Sequence, residues 1–230
     1  MNNLSHDSSL SENQIPTTDG FLPGKKISSP SLVATYGDLL PRWSVDKAIY
    51  HIAFHLADSI PVAERMKWQG IREELHHVVH VERRELTDDE RELMKRAYDA
   101  HIEKYLASGH GECLLRQAEV ANGLAETLEY GHGKDYLLHE WCVMPNHLHV
   151  IAAFDEGVSF RRTISAWCRI MAHQVNRVLG RKGQVWMRDA YTHVIRTEAE
   201  YAHQLSYVWR NPDTAGLTTG YLRRSYVPLG

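Results

Sequence analysis

The segment Met144-Pro-Asn-His147-Leu-His149-Val-Ile-Ala sets two imidazoles two residues apart in a run whose composition reads as a β-strand. Alternate residues of a strand point to the same side, so His147 and His149 project together while Leu148 and Val150 face the other way. Two imidazoles about 6–7 Å apart on one strand face can share a cation or bracket a phosphate. A half-exposed strand pair without such a role reads the same way, and the chain holds 15 histidines. The pair alone decides nothing. A second feature is Tyr207-Val-Trp-Arg-Asn211-Pro212 on a segment with helical spacing. Tyr201, Leu205, Val208 and Trp209 form its expected buried stripe, and Tyr207, about 200° around from Leu205, is expected to face away from it. Residues four apart are neighbours on a helix, which aligns His203, Tyr207 and Asn211 in one polar column. Such a tyrosine could be a positioned nucleophile beside a metal ligand. It could equally be an exposed tyrosine ahead of an Asn-Pro helix stop.

Several elements must carry these residues. Residues 1–30 are rich in Ser, Asn, Thr, Pro and Gly without an apolar period, so residues 1–40 are expected to be a disordered tail. The run Ala48–Leu56 is rich in β-branched and aromatic residues and reads as the first strand. Residues 62–108 read as a two-helix insertion, the second helix opened by the capping box Thr87-Asp-Asp-Glu90. A helix over 117–130, stopped at Gly131-His-Gly133, precedes strands over 135–144 and 147–154 joined at Pro145-Asn146. A helix over 159–179, a strand over 190–196 and a helix over 198–211 ending at Pro212 complete the order. A central hairpin flanked by crossover helices predicts an α+β fold, ferredoxin-like or RRM-like. Its sheet is expected to be mostly antiparallel, with helices on one face and the helical hairpin inserted after the first strand. Such sheets often present a face to single-stranded nucleic acid.

With 230 residues, 43% hydrophobic and 24% charged, the chain has the composition of a globular protein rather than a disordered one. Its apolar runs are too short for a membrane span, and its start lacks the pattern of a secretory leader. Three widely spaced cysteines, without a CxxC pair, suit neither a disulfide framework nor a thiolate zinc site, and fit a cytoplasmic location. The net charge of −3 hides an asymmetry: residues 159–230 carry +7 and residues 1–158 carry −10. A basic C-terminal third invites an anionic partner, nucleic acid first, although one solvated helix face would give the same balance.

Taken together, the two features and their flanks resemble the REP-associated tyrosine transposases, relatives of the small single-tyrosine insertion-sequence transposases of the HUH endonuclease superfamily. The resemblance rests on Tyr50-His-Ile-Ala-Phe54 with Leu56-Ala-Asp58, on Cys142-Val-Met-Pro-Asn-His-Leu-His-Val150 and on Asn176-Arg-Val-Leu-Gly-Arg181. It continues through Gln184-Val-Trp-Met-Arg188, His193-Val-Ile-Arg196 and Tyr207-Val-x-x-Asn-Pro-x-x-Ala-Gly-Leu217, so that it spans residues 45–217. It implies a nucleophile at Tyr207 on a C-terminal catalytic helix, metal ligands at His147, His149 and Asn211, and Mg²⁺ or Mn²⁺ as the cofactor. It also implies a single-stranded, hairpin-forming DNA substrate of the repetitive-palindrome type, cleaved through a 5′-phosphotyrosine. Monomer and homodimer both occur among relatives.

Arg161, Arg162, Arg169, Arg177, Arg181, Lys182, Arg188, Arg196 and Arg210 are the candidate phosphate contacts, and Trp167, Trp186 and Tyr191 the candidate stacking surfaces. Residues 218–230 are expected as a basic tail. Two other readings stand beside the nickase and strand-transferase. One is a catalytically idle, domesticated hairpin-binding protein with a regulatory or genome-maintenance role. The other is a phosphoesterase that uses the histidine pair with water.

Overall fold

The computed structural model describes residues 48–227 apart from positions 83, 85, 156 and 189, so the tail expected over residues 1–40 lies outside the described residues. In chain order the elements are β1 (Ile49–His55), α1 (Val62–His80), α2 (Asp88–Tyr98), a π-helical turn (Asp99–Glu103) and α3 (Lys104–Ala107). A 3₁₀ turn (Leu114–Arg116), α4 (Ala118–Glu129), β2 (Tyr136–Val143), β3 (His147–Phe154) and α5 (Phe160–Val178) follow. The chain continues through β4 (Tyr191–Ile195), α6 (Glu198–Thr214) and β5 (Leu222–Ser225).

All five strands join one sheet in the order β4-β1-β3-β2-β5, and every pairing is antiparallel. The α4 crossover carries the chain past the central position, and the β2–β3 hairpin folds back so that β3 fills the gap beside β1. The first four strands thus take the expected ferredoxin-like order.

Strand periodicity sorts the side chains into two layers. Tyr50, Ile52 and Phe54 of β1 and Leu148, Val150 and Ala152 of β3 meet Val120, Leu124 and Leu128 of α4 and Ile164, Trp167, Met171 and Val175 of α5. Burying each large apolar side chain stabilises this layer by about 1.5–3 kcal/mol. On the other face Ile49, Cys142, Ile151, Ala153 and Ile195 pack against Val208 of α6. Helices therefore cover both faces, not one as expected, and β1 and β3 are buried along their whole lengths. The insertion has its own small core of Trp68, Ala97, Ile102 and Leu106 with Ile60. Its capping box forms as expected: Glu90 N–H donates to Thr87 Oγ1 at 3.3 Å and Thr87 N–H donates to Glu90 Oε2 at 2.8 Å.

Two boundaries differ from expectation. The last helix runs through Pro212 to Thr214, because proline removes only its own N–H while Ala215 N–H still closes on Asn211 O at 3.0 Å. Gly216, at φ 67°, ends it. The described part of the expected tail over 218–230 is not a plain basic tail: Leu222–Ser225 pairs with β2 at the sheet edge. Arg223 lies over the Trp209 ring at 4.2 Å, and Arg224 Nη1 meets Glu129 Oε1 at 2.5 Å.

Gly131 marks a close approach in the α4 layer. Tyr136 Oη donates to Leu128 O at 2.6 Å and accepts from Gly131 N–H at 3.2 Å. A Cβ at residue 131 would stand 2.6 Å from Tyr136 Cε1. Gly131→Ala is therefore expected to cost about 1–3 kcal/mol, read as a lower urea midpoint with an unchanged slope.

Candidate functional site

The β1–β3 register places His55 opposite His147 and Ala53 opposite His149, and β1 pairs His51 with His193 of β4. Opposed residues share a face, so His51, His55, His147, His149 and His193 all look toward α6. The sequence pattern found the β3 pair and missed the β1 pair. The signal was present: His51 and His55 are four apart in a strand, and so lie on one side of it.

His147 is fully buried, and its Nδ1 faces Asn146 Oδ1 at 2.8 Å. An amide oxygen only accepts, so Nδ1 carries the proton and Nε2 keeps its lone pair. Asn146 is itself fixed, its Nδ2 donating to His110 O at 3.0 Å. Among the described residues the Nε2 atom has no hydrogen-bond partner, and the Asn211 side chain lies near the His147 ring. His149 Nδ1 meets His51 Nε2 at 3.0 Å, and Asn211 Nδ2 approaches His149 Nε2 at 3.5 Å. The Nε2 lone pair accepts from that amide, which leaves the proton on Nδ1, shared toward His51. Both β3 imidazoles thus hold the tautomer that a metal ligand needs, each oriented by an outer partner.

Burial pushes the His51 and His147 pKa values down to about 3 and that of His55 to about 4, with like-charge repulsion from neighbouring histidines helping at His51 and His147. His149 is lowered well below its ordinary value, again chiefly by burial. All four are neutral at pH 7 and available as donors of lone pairs. The same shifts set the acid response of the fold. The unfolded chain binds protons on these groups from about pH 6.5 downward, whereas in the folded chain His51, His55 and His147 do so only near pH 3–4 and His149 well below its ordinary value. Their contribution to stability is therefore complete above about pH 6.5 and drains as the pH falls. In EDTA, urea unfolding is expected to show a loss of at least about 2 kcal/mol between pH 7 and pH 5. A flat response would mean that solvent reaches the imidazoles.

Tyr207 was expected to point away from the buried stripe. It turns inward, packing its ring 5.4 Å from that of His149 and 5.9 Å from that of His51. The reason lies in the helix: the buried side is carried by Val208, Asn211 and Pro212, and residue 207 is only about 40° from residue 211 at 100° per residue. Burial first, then the Glu103 carboxylate beside it, pushes the Tyr207 phenol far above its ordinary pKa, so the hydroxyl is protonated at rest. Its partners are the side chains of Glu103 and Asn211. The expected column of His203, Tyr207 and Asn211 forms one wall of a cleft of about 220 Å³, whose other residues include Glu103, Ala107 and Arg210.

The insertion, which the sequence left without a role, closes one side of this site. Tyr98 sets its hydroxyl 3.4 Å from His55 Nε2 and its ring 5.1 Å from that of Tyr191. The π-helical turn that follows brings Glu103 to Tyr207. Single π turns often mark functional positions, and this one was invisible to helical periodicity.

The basic residues are not gathered in one place. Arg161, Arg162, Arg169 and Arg177 lie on the exposed side of α5, across the sheet from Tyr207. Arg181 pairs with Glu112 at 3.1 Å. Lys182, Arg188 and Arg196 are exposed in the segments leading into β4 and α6, and of the nine candidates Arg210 alone lines the cleft. Trp167 and Trp186 are buried in the α5 layer, which removes them as stacking surfaces. Tyr191 is half-buried over His193.

Among the described residues no three His, Cys, Asp or Glu side chains converge as metal ligands. The donors near Tyr207 are two imidazoles, one amide and the Glu103 carboxylate. Among the described residues the buried His147 Nε2 has no hydrogen-bond partner, and such a lone pair would suit a divalent cation.

No protein-family profile matches the chain. Over 79 residues it is 28% identical to "REP-associated tyrosine transposase" of Escherichia coli (strain K12), covering 34% of this chain and 46% of that protein. A relative under the same family name from Haemophilus influenzae is 26% identical over 83 residues, 31% of this chain and 46% of the relative. The chain thus matches just under half the length of these curated relatives. A solved structure titled "Structure of the REP associates tyrosine transposase bound to a REP hairpin" aligns over 80% of this chain and 74% of its own, at 16% identity and a TM-score of 0.42. The relatives that sequence finds are REP-associated tyrosine transposases, the family that the residue pattern resembles. No helix among the described residues is long and apolar enough to cross a membrane.

Proposed function

We propose that this protein is a metal-dependent single-strand DNA endonuclease and strand-transferase, which cleaves hairpin-forming DNA through a 5′-phosphotyrosine at Tyr207. One observation carries the reading: Tyr207 and Asn211 of α6 meet His147 and His149 of β3 within a single chain, with the His149 and Tyr207 rings 5.4 Å apart. The kinship with REP-associated tyrosine transposases supports the substrate class. His147 and His149, with the Asn211 amide turned to present its oxygen, would hold Mn²⁺ or Mg²⁺. When bound, that cation would polarise the scissile phosphate and lower the charge on the departing oxygen.

The chain's own residues do the rest. Asn146 and His51 fix the two imidazoles so that their lone pairs face Asn211. The helix α6 holds the Tyr207 hydroxyl against the same amide, and such positioning contributes several kcal/mol to lowering a barrier. The Tyr207 oxygen bonds to phosphorus as the phosphorus–O3′ bond breaks, leaving a 5′-phosphotyrosine and a 3′-hydroxyl. The new ester retains the energy of the old one, so rejoining needs no nucleotide cofactor.

The test is incubation of the purified protein with Mn²⁺ and a labelled single-stranded hairpin from its own genomic flank, followed by denaturing electrophoresis. A protein-linked label that EDTA abolishes is the expected result. Tight hairpin binding without a covalent product under any divalent cation would favour the idle binding protein. The four arginines on α5, remote from Tyr207, would suit that reading too.

A further inference from the structure

Resting on the strand-transfer reading of Tyr207, we propose that Glu103 of the helical insertion accepts the Tyr207 phenolic proton when the tyrosine attacks. Three independent placements carry this. The insertion is seated against the histidine face through Tyr98, which contacts both His55 and Tyr191, so the segment that follows is held at the site. The helix then shifts into a π turn over Asp99–Glu103. The extra residue of that turn rotates residue 103 relative to a continuous α-helix. Glu103 and Tyr207 finally line the same cleft, the tyrosine hydroxyl donating to the carboxylate.

The chemistry requires such a group. A phenol is protonated at neutral pH, and the two β3 imidazoles turn their lone pairs toward Asn211, where the cation would be held. Attack by a neutral phenol must release a proton. The carboxylate already holding that hydrogen bond is placed to take it, and general-base assistance of this kind contributes about 10²–10⁴-fold. In the step, the Tyr207 O–P bond forms, the P–O3′ bond breaks, the phenolic proton passes to a Glu103 oxygen, and the O3′ takes a proton from solvent. On rejoining, the 3′-hydroxyl attacks the phosphotyrosine and gives its proton to solvent, while the Tyr207 O–P bond breaks and the departing phenolate recovers its proton from Glu103. The insertion is thus part of the reaction centre rather than an appended module.

Glu103→Gln keeps the shape of the side chain and an oxygen that accepts from Tyr207, but it cannot take the proton. Single-turnover formation of the covalent adduct is expected to slow about 10²–10³-fold. Hairpin affinity should stay within about threefold, because the group acts only as the bond forms. Glu103→Asp should restore part of the rate. In Glu103→Ala, added formate should accelerate adduct formation with saturation, a response that a purely structural side chain would not give. A 3-fluorotyrosine at position 207 reads the contact without turnover, since its ¹⁹F resonance should move in Glu103→Ala. An unchanged adduct rate in Glu103→Gln, or a ¹⁹F resonance indifferent to residue 103, overturns the role of Glu103 alone. Failure of the wild type to form any adduct while the ¹⁹F contact persists overturns the strand-transfer reading, and the proton-transfer role with it.

Discussion

Tyr207→Phe is expected to reduce the covalent protein–DNA product by at least about 10⁴-fold, to background, because it removes the attacking oxygen and nothing else of the ring. The phenylalanine ring retains the contacts with His149 and His51 that seat residue 207 on the sheet. Hairpin affinity should therefore change by no more than about threefold. The lost hydroxyl leaves the Glu103 carboxylate and the Asn211 amide short of one hydrogen bond each, which costs about 1–3 kcal/mol of stability. A protein-linked label that survives in Tyr207→Phe would refute the assignment of the nucleophile. Cleavage of the hairpin without any covalent product would revive attack by water on the histidine pair.

The second large effect is expected at His147. Among the described residues its Nε2 is buried without a hydrogen-bond partner while Nδ1 is committed to Asn146, which leaves the lone pair presented to the site. His147→Ala is expected to slow adduct formation about 10³-fold at fixed Mn²⁺, since a cation in such a site contributes several kcal/mol of charge stabilisation. Asn146→Ala should act more mildly, by about 10–100-fold, because it frees the imidazole to rotate without removing it. Titration with Mn²⁺ separates the two: added cation should recover much of the rate in Asn146→Ala and little in His147→Ala. Equal Mn²⁺ dependence in the wild type and His147→Ala would contradict the ligand role.

Much of this was legible from residue types and spacing, and the reasons for the rest are physical. Alternation along β3 was enough to put His147 and His149 on one side, because a strand fixes side-chain direction with a period of two. The spacing of His203, Tyr207 and Asn211 placed them in one column for the same kind of reason. The inward turn of Tyr207 was not legible: an apolar count sees Leu205 and Val208 and discounts Asn211 and Pro212, which turn out to be on the buried side. Helices on both sheet faces were missed because α6 covers its face with polar groups as well as apolar ones, so its pattern resembles that of an exposed helix. The strand β5 escaped because Arg223 and Arg224 read as tail charge, whereas their partners, Trp209 and Glu129, are distant in sequence. The part played by the insertion was hidden most deeply. It depends on a π turn, which shifts the register of Glu103 against any helical template, and on contacts that only the tertiary fold creates.

The most direct test of the account is to digest the covalent product made with Mn²⁺ and a single-stranded hairpin, and to locate the modified residue by peptide mass. The account predicts a peptide containing Tyr207 that carries the 5′-phosphate of the cleaved strand, with an unlinked 3′-hydroxyl on the other fragment. A modification at another residue, or a linkage through the 3′ end, would contradict it.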